Sequence, residues 1–448
     1  MATGVPKKRY GVNNNGDNMR GKASAVVVQY SKKRSASEIL ETTPANAVLC
    51  ATGAASEDPR TSNRLYFGDN LPILATLLRE PAIAGHIRLV YIDPPFATET
   101  VFHSRQLKHA YEDTLTGSEY LEFLRQRLAF LRELLADDGS IYLHLDAKMV
   151  FHVKLIMDEI FGSANFRNCI TRKKCNPKNY TRKQYGNVAD FILFYTKSAS
   201  YVWNKPIEPW TQERTKEYQY VDSVTGRRFM KVPVHAPGIR HGETGKPWRG
   251  MLPPPGKHWQ FPPYVLDEMD ARGEIYWSTH GNPRRKIFLD NSPGIPVQDI
   301  WLDFRDAHNQ NIHITGYPTE KNPDLLARII EASSNPGDLV LDCFSGSGTT
   351  LAVADRLGRR WIGVDNSIEA IKTTLKRFAH GLEPMGDFVS QRNNIEKKEK
   401  RSSPTLFSSL EDAERPSCGP ERDKPITHFV LLAEWSLHNS AAALISSG

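Results

Sequence analysis

Asp338-Leu339-Val340-Leu341-Asp342-Cys343-Phe344-Ser345-Gly346-Ser347-Gly348-Thr349-Thr350 is the stretch that decides the fold. Leu339 to Leu341 form an apolar run of the kind a strand buried on both faces shows. The run ends in an acid and two glycines, and a helix is expected from about Thr349. The next apolar run, Trp361 to Val364, ends in Asp365, 23 residues after Asp342. Strand, glycine-rich turn, helix, strand and acid is the plan of a βαβ unit that binds a nucleoside, with the second acid near the ribose hydroxyls. Gly346 and Gly348 let the backbone pass close to a ligand. The turn lacks the spacing of a dinucleotide fingerprint and the Gly-Lys-Ser/Thr of a phosphate loop. A ligand with a ribose and an ammonium group therefore fits better than a pyrophosphate, with Asp342 on the ammonium and Phe344 over an apolar side. A glycine-rich turn in a purely structural βαβ unit is the alternative.

A second strand is organised around Leu89-Val90-Tyr91-Ile92-Asp93-Pro94-Pro95-Phe96. The prolines end the strand. Asp93 is thus expected at a strand C-terminus, where open α/β sheets bind ligands. A carboxylate, the fixed carbonyl of Pro94 and the ring of Phe96 suit a planar group that carries an NH2. Two acceptors can hold the two amine hydrogens and free a lone pair otherwise delocalised into the ring. A base in duplex nucleic acid would have to leave the helix to reach such a site. A proline-rich turn with Asp93 as an ordinary cap is the alternative.

Composition fits a large globular chain. There are 448 residues, 40% hydrophobic and 24% charged, with 58 Lys and Arg against 51 Asp and Glu. The net charge of +7 is compatible with a polyanionic partner and also with an ordinary enzyme. The cysteines at 50, 169, 175, 343 and 418 show no CxxC pair, so reduced thiols and no metal site are expected. No apolar run approaches the ~20 residues of a membrane span, and a cytoplasmic protein is expected.

The remaining chain divides by composition. Residues 1–62 read as a flexible basic arm, with a nucleic-acid-contacting arm as the other reading. In residues 63–198, Arg64–Phe67 form a strand followed by a helix from Leu71. Asp69 between them suits a polar-cofactor contact and a helix cap equally well. Helices are expected over Tyr120–Leu135 and Val150–Phe161, and strands over Ser140–Leu145 and Asn187–Lys197. His144 and Asp146 read as alternating polar residues at a strand end rather than as a triad. Arg172, Lys173, Lys174, Lys178 and Tyr180 form a basic stretch interleaved with Asn and Tyr, suited to phosphate contact and stacking. Residues 199–300 lose periodicity and are rich in Trp, Pro and Arg. Trp248, Arg249, Arg284 and Arg285 are candidate nucleic-acid contacts there, against a structural insertion as the alternative. Residues 301–385 carry the glycine-rich turn, and residues 386–448 read as a linker and tail.

The Asp93-Pro94-Pro95-Phe96 motif resembles the catalytic motif of DNA amino-methyltransferases, and Asp342 to Thr350 resembles their S-adenosylmethionine motif, with Cys343 where proline is usual. Tyr317-Pro318-Thr319-Glu320-Lys321 is similar to the partner motif that lies over the cofactor. The order, with catalytic motif first, a variable segment next and cofactor motif last, is similar to the beta group of that family. The resemblance implies a Rossmann-like α/β fold: a mixed, mostly parallel sheet with helices on both faces and an inserted target-recognition region. It implies Asp93, Pro94, Pro95 and Phe96 as catalytic residues, and Asp342, Phe344, Gly346, Gly348, Asp365, Thr319 and Lys321 as cofactor contacts, to which Asp69 is added from its place after a strand alone. It further implies S-adenosylmethionine as methyl donor, double-stranded DNA as substrate, no membrane, often a homodimer, and a cognate restriction endonuclease in restriction-modification systems. Asp before Pro-Pro favours adenine N6. Cytosine N4 methylation, an RNA or protein-amide methyltransferase, and a non-catalytic DNA-recognition component stay open.

Overall fold

The computed structural model describes residues 28–52, 62–95, 101–103, 109–112, 117–176, 183–304, 313–315, 317, 320–381, 383–384, 426 and 428–441. The chain forms two compact units, one made of the residues up to Val202 and from Ile300 onward, the other of Trp203–Asp299.

The first unit is built on one large sheet. Its strands are β1 (Ala47–Thr52), β2 (Asn63–Phe67), β3 (Ile87–Ile92), β4 (Leu135–Leu145), β5 (Phe166–Lys173), β6 (Ala189–Thr196), β7 (Ile300–Trp301), β8 (Leu339–Asp342), β9 (Arg360–Asp365) and β10 (Phe429–Glu434). The spatial order is β1-β10-β2-β9-β8-β3-β4-β6-β5-β7. Pairing is parallel from β10 through β2, β9, β8 and β3 to β4, and again between β5 and β7. It is antiparallel at β1–β10, β4–β6 and β6–β5. The sheet is therefore mixed and mostly parallel.

Strand alternation sends Val90, Ile92, Ile141, Leu143 and Leu341 into a core shared with α2 (Asn70–Leu78), α3 (Gly117–Leu134) and α4 (Val150–Phe161). Leu124, Leu128 and Leu131 recur at helical spacing on α3 and are fully buried there. Each contributes about 1.5–3 kcal/mol of burial free energy. On the opposite face, the Tyr142 hydroxyl shares a 2.8 Å hydrogen bond with the Ser333 hydroxyl at the end of α5 (Pro323–Ser333). Two further helices follow, α6 (Thr349–Arg356) and α7 (Ile368–His380); Phe378 of α7 rests on Trp361 of β9 at 5.2 Å between ring centroids. Among the described residues, no helix is long and apolar enough to cross a membrane.

The sheet order reverses between β3 and β8. From β8 the chain passes through α6 to β9 on one side, and from β3 through α3 to β4 on the other. Ligands of open α/β sheets bind at such a switch point, beyond the strand C-termini.

The structure corrects both ends of the chain. Residues 1–62 were expected as an arm, yet Ile39 in α1 (Ala36–Leu40) is fully buried and β1 joins the sheet. A capping box of Ser35 and Glu38 starts α1. The basic residues Lys33 and Arg34 are tied to the unit: Lys33 pairs with Glu159 at 2.6 Å, and the Arg34 carbonyl accepts from Arg125. Residues 386–448 were expected as linker and tail, yet β10 lies between β1 and β2. The strand expected over Ser140–Leu145 begins earlier, at Leu135, with an irregularity in its pairing: Ile87 pairs with Leu135 and Leu89 already pairs with Ser140.

The second unit carries a four-stranded sheet in the order 220–221, 228–233, 283–288, 275–277 and a hairpin of 235–237 with 257–259. Its core gathers Val234, Trp248, Trp259, Leu266, Met269 and Ile275.

Candidate active site

Asp93 and Asp342 stand at the C-terminal ends of the adjacent parallel strands β3 and β8, and both line an open cleft with about 830 Å³ of space between its walls. Asp365, at the end of β9, lines it too, together with Pro94, Pro95, Tyr317, Lys321, Phe344 and Gly346. The sheet thus brings together at one edge residues more than two hundred positions apart.

The glycine-rich turn is held by its own acids. The Phe344 amide and the Thr350 hydroxyl donate to the two carboxylate oxygens of Asp342, at 3.0 and 2.6 Å. The Gly346 and Ser367 amides donate to Asp365, each at 2.8 Å. Gly346 and Gly348 both have left-handed φ, 52° and 72°. A Cβ at Gly348 would sit 2.7 Å from a Thr374 side-chain atom, so the turn has no room for a larger residue there. Burial raises the Asp342 carboxyl to about 7 and Asp365 to about 6, against the hydrogen bonds each accepts. The repulsion of Asp93 and Asp365 adds to the shift at Asp342.

A buried ion pair ties the turn to Glu320. Arg377 on α7 reaches Glu320 at 3.1 Å and donates to the Ser347 carbonyl and the Thr349 hydroxyl at 2.9 and 2.6 Å. Glu320 also accepts from the Thr315 amide and hydroxyl.

Beneath Asp93, the Tyr91 hydroxyl is hydrogen-bonded to His144 Nδ1 at 2.9 Å. His144 Nε2 lies 3.6 Å from Asp190, which is also paired with Lys174 at 2.9 Å and Arg172 at 3.4 Å. Burial, then the charge of Lys321, pushes the His144 imidazole below its usual range.

Two buried polar atoms of the cleft have no hydrogen-bond partner among the described residues: Asp93 Oδ1 and Ser345 Oγ. Such atoms carry a desolvation cost that a bound polar ligand would offset. A donor for Asp93, a hydroxyl-bearing group for Ser345 and Asp365, and a cation for Asp342 describe a ribose-containing cofactor and an amine substrate. The residue set fits S-adenosylmethionine.

Of the residues expected from the sequence, Asp93, Pro94, Pro95, Asp342, Phe344, Gly346, Asp365 and Lys321 line the cleft, and Gly348 caps α6 beside it. Phe96, Thr319, Lys178 and Tyr180 lie outside the described residues. Asp69 does not line the cleft. It caps α2 by accepting from the Leu71 amide and pairs with Arg127 at 3.0 Å, so the capping alternative holds.

Several expected nucleic-acid contacts are corrected. The Arg172 side chain is 0% exposed, held by Asp190 and the Phe304 carbonyl at 2.6 Å, and cannot reach a phosphate. Lys174 is bound to the same Asp190. Trp248 is 1% exposed and packs against Trp259 and Trp277 as core. Arg249 is exposed, but its charge is taken by Asp267 and Asp270 at 2.9 and 2.6 Å. Arg285 is half-buried over the Phe261 ring, and Lys173 is half-buried on β5. Arg284 is exposed, as a contact would need.

Sequence reasoning missed Tyr91, Ser345, Thr350 and Glu320. Tyr91 had a usable signal: it is two residues before Asp93 on a strand and therefore faces the same side. Glu320 had only its place in the motif at 317–321, because its partner Arg377 is remote in sequence.

The family described as DNA methylase matches residues 87–376. Type II methyltransferase M.EcaI of Enterobacter cloacae is 48% identical over 371 residues, covering 82% of this chain and 81% of that protein. The Type III restriction-modification enzyme StyLTI Mod subunit of Salmonella typhimurium is 26% identical over 66% of this chain and 50% of the subunit. The crystal structure of the M1.HpyAVI–SAM complex aligns at a TM-score of 0.39 and 16% identity, over 70% of this chain and 98% of that one. A family match across both cleft-forming motifs and a relative of nearly one-half identity over most of both chains have one reading: the chain belongs to the DNA methylase family.

Proposed function

We infer that this protein transfers a methyl group from S-adenosylmethionine to N6 of a flipped adenine in double-stranded DNA. The observation that carries the reading is the pairing of β3 with β8, which sets an unpartnered Asp93 oxygen beside the Asp342 and Asp365 carboxylates in one cleft. S-adenosylmethionine, when bound, supplies an electrophilic methyl group. Asp342 holds its ammonium group, Asp365 the ribose hydroxyls, and Phe344 its apolar side. Asp93 Oδ1 and the Pro94 carbonyl accept the two amine hydrogens of the extruded base and return the nitrogen lone pair to it. As the amine gains its methyl, Asp93 holds the hydrogen the nitrogen gives up. Phe96 stacks on the base. Residues 203–299 read the target sequence, with Arg284 as a contact; the name of the StyLTI Mod subunit supports a restriction-modification role, and a cognate endonuclease is part of the proposal. A homodimer, and a cytoplasmic protein bound to the nucleoid through DNA, complete the proposal.

The test is modification-sensitive sequencing of DNA incubated with protein and S-adenosylmethionine, with mass analysis of the nucleosides. N6-methyladenine in one short motif is the expected result. N4-methylcytosine would move the assignment to the other amine on the same scaffold. Unmodified DNA, with cofactor binding intact, would remove it.

Cofactor affinity is expected to depend on pH. Asp342 ionises only near pH 7 and Asp365 near pH 6 in the ligand-free protein. A cationic ligand binds the ionised form, so affinity rises between about pH 5 and about pH 8. The ligand-free fold shows the opposite trend. Both carboxyls are raised above the unfolded value of about 3.9, so their contribution to stability is full below about pH 4 and is lost as pH rises through about 6 and about 7. Calorimetric titration across this range checks the first trend, and urea midpoints without cofactor check the second. A pH-independent affinity would place the ammonium elsewhere.

A further inference from the structure

We propose that Lys321 is the positioning residue of the reacting carboxylate: its ammonium anchors Asp93 Oδ2 so that Oδ1 is left to face the amine of the incoming base. The inference rests on the role given to Asp93 above. Lys321 Nζ lies 2.8 Å from Asp93 Oδ2, with both side chains largely buried. Oδ1 of the same carboxylate is buried without a hydrogen-bond partner among the described residues, and the residue lines the cleft. The two oxygens are thus divided. One takes a charge-assisted bond from the protein, and the other awaits a donor.

The surroundings direct the ammonium to this acid. Asp190 on β6 is engaged by Lys174 and Arg172 of β5. Glu320 is engaged by Arg377 of α7. Asp342 on β8 is bound by the Thr350 hydroxyl and the Phe344 amide, and Asp365 on β9 by the Gly346 and Ser367 amides. His144 on β4 is hydrogen-bonded to Tyr91 of β3 and is kept from charging by burial and by Lys321 itself. Asp93, Asp342 and Asp365 would repel one another in this partly dry cleft. A cation against Asp93 offsets that repulsion and fixes which oxygen is left facing the cleft. The resemblance assigns Lys321 to the cofactor; the geometry gives it to the catalytic carboxylate, and the two roles separate by experiment.

Wild type, Lys321→Met and Lys321→Arg are compared by calorimetric titration with S-adenosylmethionine and by single-turnover methylation of target DNA from about pH 5.5 to about pH 9. Lys321→Met is expected to slow methyl transfer on the order of 10²-fold through misplacement of the carboxylate. It should leave cofactor Kd within about twofold, a change too small to reflect a lost ionic contact, and move the acid limb of the rate profile to higher pH. Lys321→Arg is expected to recover most of the rate. A Met variant with weakened cofactor binding and a near-normal rate would overturn the proposal in favour of a cofactor ligand. Equal losses in Met and Arg with an unmoved acid limb would overturn it in favour of a purely steric role. Should Lys321→Met fail to bind cofactor at all, the acid limbs of Lys321→Gln and Lys321→Arg carry the same comparison. Asp93→Ala run alongside separates the two claims. If it methylates like wild type, the reading of Asp93 fails and this inference with it. If it is inactive while Lys321→Met is normal, only the inference on Lys321 fails.

Discussion

Asp93→Ala is expected to abolish methyl transfer, with a loss on the order of 10³-fold or more, and to leave cofactor binding nearly unchanged. The carboxylate lines the floor of the cleft with one oxygen awaiting a donor. Removing it takes away the acceptor proposed to make the amine nucleophilic. The proposed cofactor contacts, by contrast, come from β8, β9 and the turn between them, whose hydrogen bonds do not involve Asp93. Removing the Asp93 charge also lessens the repulsion on Asp342. That change favours an ionised Asp342, so cofactor affinity near neutral pH should hold or rise slightly. Single-turnover methylation and calorimetry on one preparation measure both quantities. A variant that methylates at the wild-type rate would disprove the role of Asp93.

Arg377→Met carries the largest expected effect on stability. It leaves the Glu320 carboxylate buried without its cation, a change that typically costs about 3–5 kcal/mol. Glu320 would keep the Thr315 amide and hydroxyl, but neutral donors do not replace a guanidinium in a dry site. The Ser347 carbonyl and Thr349 hydroxyl lose a donor as well. The expected readout is a lowered urea midpoint at unchanged slope. Glu320→Gln combined with Arg377→Met should recover much of the loss, because the uncompensated charge is then gone. A single variant as stable as wild type would mean that the carboxylate finds solvent or a proton without cost.

The parts of the fold that could be read from sequence were those whose signals are local. The run into Asp342, the two glycines and the acid at 365 are a contiguous pattern, and they fold as one βαβ unit. Two consecutive prolines after Asp93 remove two backbone donors and end the strand there, so the Asp93 carboxylate was placed at a strand end correctly. The errors came from pairings between distant segments. Arg172 looked like a phosphate contact because its neighbours in sequence are basic. Its neighbour in space is Asp190, brought alongside by the β5–β6 pairing. Trp248 looked like a nucleic-acid contact in an aperiodic segment, but Trp259 and Trp277 close over it. β1 was invisible because a short strand without alternation resembles a loop until a partner supplies the hydrogen bonds.

The position of β10 bears on how the chain is made. β10 pairs with both β1 and β2 and separates them in the sheet. During synthesis β1 and β2 leave the ribosome early, while the strand that belongs between them emerges after every other strand of the sheet. For most of translation, β2 therefore presents a bare edge. An open edge is a template for pairing with β1 in the wrong register or with another nascent chain. β1 has six residues, as many as β10, and its pairing with β10 carries an irregularity between Leu49 and Ala51. Insertion of β10 is then the closing step of assembly, and premature termination anywhere before residue 429 leaves the sheet unfinished at the edge where synthesis began.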